Sequence, residues 1–466
     1  MLSTRSMYRS TAFLRVGLVL NRRTLISSKT TKTVMPVTYD STPEPSNREK
    51  SPGYLEALTT PELLSYGLIG LATLNKGTLD MAIKAFPFIP TWMLKVFLYK
   101  NYCGGEDFEQ VKATGARLAK RGIKNMMISL TIEAAEVHGD AEPIDIGYIV
   151  RETKKSVSEV LVPHTLSMIS ESGDLNSVPP GYVALKPTGL IDDAVNVLTN
   201  YEHPDYSVKF EELVANCSEI CEIVRTANAR LAKEHPERIA PFVVATIDAE
   251  KFTLQRGVYE LQRRLFARFN VSEEPISVVG TIQMYLKESQ DLLASEYKLA
   301  QQNRYRVGWK LVRGAYIHTE PDRSVIHDTK ENTDDNYNRG ISRTIDQIVK
   351  QEKNTGVVGH LVVASHNYDS QLFAEEIIKS SAQKSNITLA QLLGMADDVT
   401  HDLIHAHGVN NIIKYVPWGP PKETKDYLLR RLEENGDAVR SDSGWPLLKG
   451  IVSVIGRRWF TQKQSL

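Results

Sequence analysis

From about residue 120 onward, the chain alternates between two hydrophobic patterns. Short, nearly continuous apolar runs are typical of strands buried on both faces, and longer stretches with one apolar face are typical of helices. The apolar runs lie at 123–132, 182–188, 241–248, 276–285, 307–316, 360–367, 387–395 and 411–419. Eight strand–helix units predict an α/β fold with a TIM-like (β/α)8 barrel. A doubly wound sheet is the alternative, but a dinucleotide-binding sheet normally carries GxGxxG, which this sequence lacks.

The residues before the barrel predict a linker followed by a helical arm. Residues 40–52 are rich in Pro, Ser and charged residues, which is typical of a linker. The apolar stretch 63–74 is too short to span a membrane, and 81–99 is interrupted by lysines and prolines. We therefore expect helices that pack on the main domain, with the linker and arm at 40–120 and the barrel at 121–466. The acidic region 140–180 is expected to be an insertion or a helical excursion.

Charge divides the chain into two parts. The 56 basic and 56 acidic residues balance, which argues against a general nucleic-acid binder. Residues 1–39 hold seven basic residues and no acid, and they are rich in Ser and Thr. This composition predicts a mitochondrial transit peptide rather than a basic tail. The remaining residues then carry a net charge of −7. Three cysteines are too few for a disulfide framework, and Cys217 and Cys221 are expected to be core residues rather than a redox pair.

Polar residues at the ends of the predicted strands are candidates for an active site, because TIM-like barrels place theirs at the carboxyl ends of the strands. They are Lys186, Asp248, Gln283, Tyr285, Arg313, Tyr316, Ser365, His366, Gln391, Met395 and Tyr415. A helix predicted over 427–437, with Gly436 as its C-cap, would present Tyr427, Arg430, Arg431 and Glu434 on one face. Paired guanidinium groups suit a carboxylate or phosphate, and a solvated salt-bridge face is the alternative.

Seven motifs give the chain a family resemblance. In order they are ALKPT (184–188), TIDAE (246–250), KLVRGAY (310–316), ASHN (364–367), QLLGM (391–395), YVPWG (415–419) and YLLRRLEENG (427–436). Together they resemble the proline dehydrogenase family over roughly residues 120–460. The basic leader and KLVRGAY make the chain similar to the mitochondrial, eukaryotic, single-function members, so no aldehyde dehydrogenase domain is expected.

The resemblance implies an activity and a set of partners. It implies FAD in a distorted barrel, oxidation of L-proline to 1-pyrroline-5-carboxylate as the first step of proline catabolism to glutamate, and transfer of electrons to ubiquinone. The expected location is the mitochondrial matrix, with peripheral contact to the inner membrane. Neither a metal nor nucleic acid is expected.

The resemblance also assigns roles to individual residues. The expected catalytic residues are Lys186, Asp248, Tyr415, Tyr427, Arg430, Arg431 and Glu434. Substrate contacts are expected from Lys186, Leu393, Tyr415, Tyr427, Arg430 and Arg431. Cofactor contacts are expected from Asp248, Gln283, Lys310, Arg313, Gly314, Ala315, Thr329, Ala364, His366, Gln391 and Glu434. Two positions depart from the family pattern, because Lys310 stands where bacterial members have Arg, and Pro187 follows Lys186.

Other functions are compatible with parts of the pattern. His401, His405 and His407 would suit a metal-dependent barrel hydrolase, although exposed helical histidines are the interpretation we favour. Lys186 or Lys310 would suit a Schiff-base aldolase. An inactive scaffold would be expected to have lost the charged pocket residues, and these are present.

Overall fold

Eight parallel strands form a closed barrel in the computed structural model, which describes residues 53–132, 145–271, 274–317, 319–351, 356–439 and 444–464. The strands are β1 (Asn125–Leu130), β2 (Gly181–Leu185), β3 (Val243–Ile247), β4 (Val278–Gln283), β5 (Val307–Val312), β6 (Val358–Ala364), β7 (Ile387–Leu392) and β8 (Ile412–Trp418). Each strand pairs with the next along the chain, and β1 closes the ring by pairing with β8. The barrel prediction is confirmed, and the open doubly wound sheet is excluded.

The barrel interior is apolar, with a small polar network near its amino-terminal end. Met127, Val244, Val362 and Ile413 pack together inside the ring. The Tyr182 hydroxyl lies 2.6 Å from Nε2 of His360 and donates to the Thr388 hydroxyl at 2.7 Å, which links β2, β6 and β7. Side chains alternate between the two faces of a strand, and Tyr182 and Ala184 share the inward face of β2. The carboxyl ends of the strands, at the opposite end of the barrel, are where an active site is expected.

Helices cover the outside of the barrel and connect its strands. They are α6 (Phe108–Ala119), α7 (Ile146–Ser156), α8 (Val162–Ser172), α9 (Ala194–Thr199), α10 (Pro204–Glu234), α11 (Phe252–Phe269), α12 (Ser289–Asn303), α13 (Lys330–Gln351), α14 (Tyr368–Ile378) and α15 (Asp397–His405). A π-helical turn, Val157–Leu161, joins α7 to α8, so part of the predicted excursion at 140–180 is helical. Short 3₁₀ turns lie at Leu175–Ser177, Pro187–Gly189, Arg323–Val325 and Ala382–Asn386. Cys217 and Cys221 are fully buried in α10, as expected for core residues.

The predicted helical arm is present and packs on the barrel. It comprises α1 (Gly53–Glu56), α2 (Thr60–Ala72), α3 (Lys76–Ala85), α4 (Thr91–Leu94) and α5 (Lys100–Tyr102), with a 3₁₀ turn at Phe86–Phe88 and a π-helical turn at Lys95–Tyr99. The Gly104 N–H donates to the Pro417 carbonyl at 2.7 Å, and the Tyr99 hydroxyl donates to the Gly419 carbonyl. These bonds attach the end of the arm to the end of β8. The division of the chain at residues 40 and 120 stays a prediction.

Within the described residues, two helices follow the barrel, and both differ from what the sequence predicts. Helix α16 (Pro421–Val439) continues past Gly436, so Gly436 is not its C-cap. Helix α17 (Gly444–Gln464), which was not predicted, packs Ile451 and Val454 against Leu55, Leu58 and Leu63 of the arm. Among the described residues, no helix is long and apolar enough to cross a bilayer.

Candidate active site

Three strands bring Asp248, Lys310 and Tyr415 together inside the barrel. Asp248 directly follows β3, Lys310 lies on β5, and Tyr415 lies on β8. The Lys310 ammonium forms an ion pair with Oδ1 of Asp248, and the Tyr415 hydroxyl donates to Oδ2 at 2.8 Å. The side chains of Lys310 and Asp248 are only 8% and 13% exposed. Three residues expected in the site are therefore one hydrogen-bonded cluster.

The surroundings of this cluster keep the hydroxyl of Tyr415 protonated. Burial first, and then the charge of Asp248, raises the pKa of Tyr415 well above its ordinary value. Tyr415 is therefore protonated at neutral pH and acts as a donor. The Lys310 ammonium also lies 5.8 Å from the centre of the Tyr415 ring, within the range of a cation–π contact. An ion pair this buried carries a desolvation cost, which makes it a candidate for a functional role.

The loop after β5 is tied to the ends of β3 and β4. The Gln283 amide donates to the Glu250 carbonyl at 2.8 Å. The Tyr285 hydroxyl lies 3.0 Å from Oε1 of Gln283 and 2.8 Å from Oε1 of Glu320, a buried residue of that loop. Sequence reasoning missed Glu320, because its neighbours are the polar residues of a long loop. The bridge through Tyr285 holds the loop next to Gln283.

The same loop carries several of the expected cofactor residues. Gly314 and Ala315 are exposed to solvent. The guanidinium of Arg313 forms an ion pair with Asp334 of α13. Thr329 lies just before α13 and is exposed, and its hydroxyl accepts the Asn332 N–H at 3.1 Å. The loop therefore presents a cation and accessible backbone at the open end of the barrel.

His366 follows β6 and is held as a neutral imidazole. Its Nε2 accepts the Leu392 N–H at 3.2 Å, which places the proton on Nδ1. Burial, and then the charges of Lys414 and Arg431, lower the pKa of His366 to about 3. Ala364 is the last residue of β6 and is partly buried. Both residues therefore belong to the carboxyl end of β6.

The structure does not join Gln391 to the Asp248 cluster. Gln391 is buried against helix α14, where its amide donates to Oε1 of Gln371 at 2.6 Å. Its carbonyl accepts from Lys414 at 2.9 Å, and Lys414 also pairs with Asp397 at 2.9 Å. Sequence reasoning missed Lys414, although strand alternation in IIKYVPW could have identified it, because Tyr415 points inward and its neighbour must point outward. Contact between Gln391 and a cofactor stays a prediction.

Helix α16 carries the expected anion-binding face. Tyr427 and Arg431 are both buried, and the guanidinium of Arg431 lies 4.8 Å from the centre of the Tyr427 ring. The charge of Arg431 is one of the causes that lower the pKa of His366. The Arg431 guanidinium is therefore close enough to the carboxyl end of β6 to influence a residue there. Arg430 is exposed, so the two adjacent arginines differ in environment. The side chain of Glu434 lies outside the described residues.

Lys186 and Leu393 border the same end of the barrel. Lys186 directly follows β2 and is partly buried, and Pro187 begins a 3₁₀ turn there. Leu393 is 5% exposed, and its N–H donates to the Tyr415 carbonyl at 3.0 Å. Gly394 has a φ of +77°, and a Cβ there would overlap the carbonyl oxygen of Asn101 in α5. The end of the arm therefore lies directly against the loop that presents Leu393.

The histidines of the hydrolase alternative lie on or near α15. The rings of His401 and His405 are 4.3 Å apart, and Nε2 of His407 lies 2.8 Å from the Tyr368 hydroxyl. In the described part of the chain, no group of three or more His, Cys, Asp or Glu side chains is arranged to hold a metal ion.

Solved structures with the same fold include bacterial proline utilization A proteins. The protein from Bdellovibrio bacteriovorus inactivated by N-propargylglycine superposes with a TM-score of 0.57 and 15% sequence identity. The match covers 86% of this chain and 43% of that protein. A bifunctional proline utilization A protein superposes with a TM-score of 0.52 and 17% identity, over 88% and 44% of the two chains. At these identities the likeness supports the barrel fold alone.

Curated relatives extend the similarity to sequence. Proline dehydrogenase 1, mitochondrial, of Dictyostelium discoideum is 26% identical over 76% of this chain and 63% of its own length. The probable mitochondrial proline dehydrogenase of Schizosaccharomyces pombe is 28% identical over 73% of this chain and 75% of its own. The human proline dehydrogenase 1, mitochondrial, is 33% identical over 42% and 32%. The chain thus spans less than two thirds of the Dictyostelium and human proteins.

A family profile covers the whole barrel. The profile described as proline dehydrogenase matches residues 113–443, which include all eight strands, the Asp248 cluster and α16. More than half of the sequence lies within this match, and the resemblance noted in the motifs is thereby confirmed. The chain belongs to the proline dehydrogenase family.

Proposed function

We propose that this protein is an FAD-dependent dehydrogenase that oxidises L-proline to 1-pyrroline-5-carboxylate and passes the electrons to ubiquinone. The observation that carries the proposal is the buried cluster of Asp248, Lys310 and Tyr415, which lies at the end of a barrel whose sequence belongs to this family. Arg431 supplies a buried cation from α16 at the same end of the barrel. A small amino acid with a carboxylate and an apolar ring fits these groups.

The residues of the site would act mainly by positioning the substrate. The guanidiniums of Arg430 and Arg431 and the ammonium of Lys186 bind the proline carboxylate, which fixes the orientation of the ring. Leu393 and Tyr415 pack against the ring, and Tyr427 lines the pocket. Glu434 would support one of the arginines. The amine must be neutral when C5 loses a hydride, because a ring ammonium opposes iminium formation, and its proton leaves to solvent.

The donor groups at the ends of β4 to β6 suit a flavin. Lys310 and Arg313 are cations, Gln283 and neutral His366 are polar, and Gly314 exposes its backbone. Asp248, Ala315, Thr329, Ala364, Gln391 and Glu434 complete the expected cofactor set. In the described residues, the buried hydroxyl of Thr246, on the same face of β3 as Asp248, has no hydrogen-bond partner. When bound, FAD supplies the two-electron acceptor for proline oxidation.

The position of Lys310 is fixed by its partner, Asp248. Lys310 replaces the arginine of bacterial members, and an ammonium is a point charge without the planar fork of a guanidinium. Its ion pair with Asp248 holds it at one place on β5. Together with Arg313, it would make the site electrostatically favourable for a reduced, anionic flavin ring.

Tyr415 would also set substrate specificity. Its hydroxyl is fixed by Asp248, so the ring occupies a defined volume next to the substrate. A hydroxyl group at C4 of proline would have to share that volume. We infer that the enzyme prefers proline to 4-hydroxyproline.

We infer that the enzyme works in the mitochondrial matrix, at the inner membrane. Relatives from Dictyostelium, fission yeast and human are named mitochondrial proline dehydrogenases, and residues 1–39 have the composition of a transit peptide. Ubiquinone is dissolved in that membrane, so electron transfer calls for peripheral contact with it.

Purified full-length protein tests the proposal directly. It should be yellow, and anaerobic L-proline should bleach the flavin absorption. Arg431→Met should raise the proline KM steeply while FAD stays bound, and Arg230→Met, on the outer helix α10, should leave the KM unchanged. A colourless protein that does not bind added FAD, or normal proline kinetics in Arg431→Met, would contradict the proposal.

A further inference from the structure

Exposed apolar side chains are concentrated on the arm and on α17. Sixteen large hydrophobic residues are exposed in the described chain. Eight of them lie between residues 64 and 97, and three lie between 445 and 459. Scattered exposed hydrophobics are normal on a soluble protein, but a cluster of this kind marks an interaction surface.

The exposed residues form stripes along their helices. On α2, Leu64, Leu68 and Leu71 are spaced i, i+4 and i+7, opposite the face that buries Leu63 and Tyr66. On α17, Trp445, Val452 and Trp459 are spaced i, i+7 and i+14, which also places them on one face, and they are 64%, 70% and 69% exposed. Trp92 and Val96 continue the pattern on α4 and the π-helical turn that follows it.

The helices that carry these stripes pack side by side. Helix α17 contacts α2 through Leu447 and Leu448, which lie against Gly70. On another side of α2, the Ser65 hydroxyl donates to the carbonyl of Phe97. The faces through which these helices contact one another are buried. The apolar stripes therefore lie on the solvent-exposed side of a single layer of helices. We call this layer the docking face and define it by α2, residues 91–99 and α17.

The composition of the docking face identifies its partner. Trp92, Trp445 and Trp459 are of the residue type that concentrates at the membrane–water interface. Helix α2 contains one glutamate and no basic residue, residues 91–99 contain one lysine and no acid, and residues 444–464 contain four basic residues and no acid. Residues 40–466 are acidic overall. The docking face, in contrast, has more basic than acidic residues, and they lie beside the apolar stripes. Apolar aromatic stripes with flanking cations fit an anionic lipid surface.

We propose that the docking face lies on an anionic phospholipid bilayer, with α17 parallel to the membrane plane. Lys449, which lies between Trp445 and Val452 on the exposed face of α17, would extend to the lipid headgroups. The purpose of this contact rests on the proposed function, in which the electrons leave to a membrane-dissolved quinone. The lipid contact itself is argued from the surface alone.

Vesicle flotation of the full-length holoenzyme tests the proposal. Wild-type protein should float with vesicles of phosphatidylcholine and phosphatidylglycerol, and less with phosphatidylcholine alone. The variant Trp445→Ser/Val452→Ser/Trp459→Ser should bind about tenfold more weakly or worse, because three apolar side chains no longer leave water. Brominated phosphatidylcholine should quench the tryptophan fluorescence of wild-type protein and have a smaller effect on this variant.

Matched variants separate the docking face from general stickiness. Leu64→Ser/Leu68→Ser/Leu71→Ser should weaken flotation in the same way. Val195→Ser/Val208→Ser, which changes two exposed apolar residues on α9 and α10, should float like wild-type protein. Wild-type protein that stays in the buffer, or equal flotation of all variants, would overturn the proposal. So would a wild-type dimer that the α17 variant converts to a monomer with flotation unchanged, since the face would then join two copies.

A soluble assay keeps this proposal distinct from the proposed function. Proline-dependent reduction of a water-soluble dye, without vesicles, should be equal in wild-type protein and in the α17 variant. If wild-type protein did not reduce the dye with proline, the proposed function would be contradicted. Flotation would still test the docking face in that case.

Discussion

At the scale of single residues, the ion pair of Asp248 and Lys310 tests how the site is held together. Removing one partner of a buried pair leaves the other charge uncompensated, whereas replacing both with apolar groups is often neutral. Asp248→Asn should therefore cost about 3 kcal/mol of stability. Asp248→Leu/Lys310→Met should recover most of the melting temperature and still lack proline oxidation. Thermal melts followed by circular dichroism, with turnover measured in parallel, would check both expectations.

A surface pair provides the control for this prediction. Lys154 and Glu219 are 2.9 Å apart and partly exposed, so Lys154→Met should cost less than about 1 kcal/mol. If Asp248→Asn melted like wild-type protein, the pair would not be desolvated in solution.

The residues of the site also show what the sequence could and could not predict. The motifs TIDAE, KLVRGAY and YVPWG identified Asp248, Lys310 and Tyr415 one by one, each in a different apolar run. Their contact with one another depends on the closure of the ring, which brings β3, β5 and β8 to a common axis. Spacing put Arg430 and Arg431 on one face of a helix, but only the packing of α16 reveals that Arg431 is buried and Arg430 exposed.

At the scale of elements, the polar network inside the barrel should make stability depend on pH. Burial lowers the pKa of His360 to about 3, from an ordinary value of about 6.5. Below pH 6.5 the unfolded chain therefore binds more protons than the folded one. The stability that the fold gains from keeping His360 neutral is fully present above about pH 6.5 and is lost as the pH falls toward 3. The free energy of unfolding should be lower by about 2 kcal/mol at pH 5 for this reason.

Thermal melts at pH 7.5 and pH 5 would measure this contribution. His360→Gln should lose less stability than wild-type protein between the two values, by about 2 kcal/mol. His405→Gln, which changes an exposed histidine on α15, should retain the full dependence on pH. Equal losses in His360→Gln and wild-type protein would show that His360 is protonated in the fold.

The junction between the arm and the loop after β7 is a second element that can be tested. Gly394→Ala would place a Cβ at a φ of +77° and against the carbonyl of Asn101. The backbone strain alone should cost roughly 1–2 kcal/mol, and the overlap should displace α5 or the loop that carries Leu393. We therefore expect a lower melting temperature and a higher proline KM.

Gly173 gives the matched control for Gly394. It has a φ of +67°, and a Cβ there would meet nothing within 4 Å. Gly173→Ala should share the loss of stability from backbone strain but keep the proline KM of wild-type protein. A normal KM in Gly394→Ala would indicate that the arm does not support Leu393.

Secondary structure was more predictable than the contacts between elements. All eight strands were predicted, because a strand buried on both faces is an apolar run. The predicted ends extended too far in several strands, as in 307–316 against Val307–Val312, because the active-site loops begin with residues that also suit strands. Helix α17 was not predicted. The prediction that Gly436 ends α16 is wrong, because a glycine within a helix and a glycine at its end look alike in sequence.

At the scale of the whole molecule, the neutral net charge conceals three regions of different character. The leader at 1–39 is basic, the chain from residue 40 is acidic overall, and the docking face carries a local excess of lysine and arginine. A basic leader is drawn toward the negative matrix by the membrane potential, and an acidic enzyme is not. We therefore expect import and docking to depend on separate groups of cations.

Import into isolated mitochondria would test this division of charge. Full-length chain should enter the organelle only when the membrane potential is intact, and it should be shortened on entry. Replacing the arginines of the leader, Arg5, Arg9, Arg15, Arg22 and Arg23, with glutamine should block entry, because the leader would lose most of its positive charge. The α17 variant should be imported like wild-type protein, since its cations and leader are intact. Import of the arginine-free leader would contradict the transit-peptide prediction, whereas failure of the α17 variant would show that the apolar stripe takes part in import.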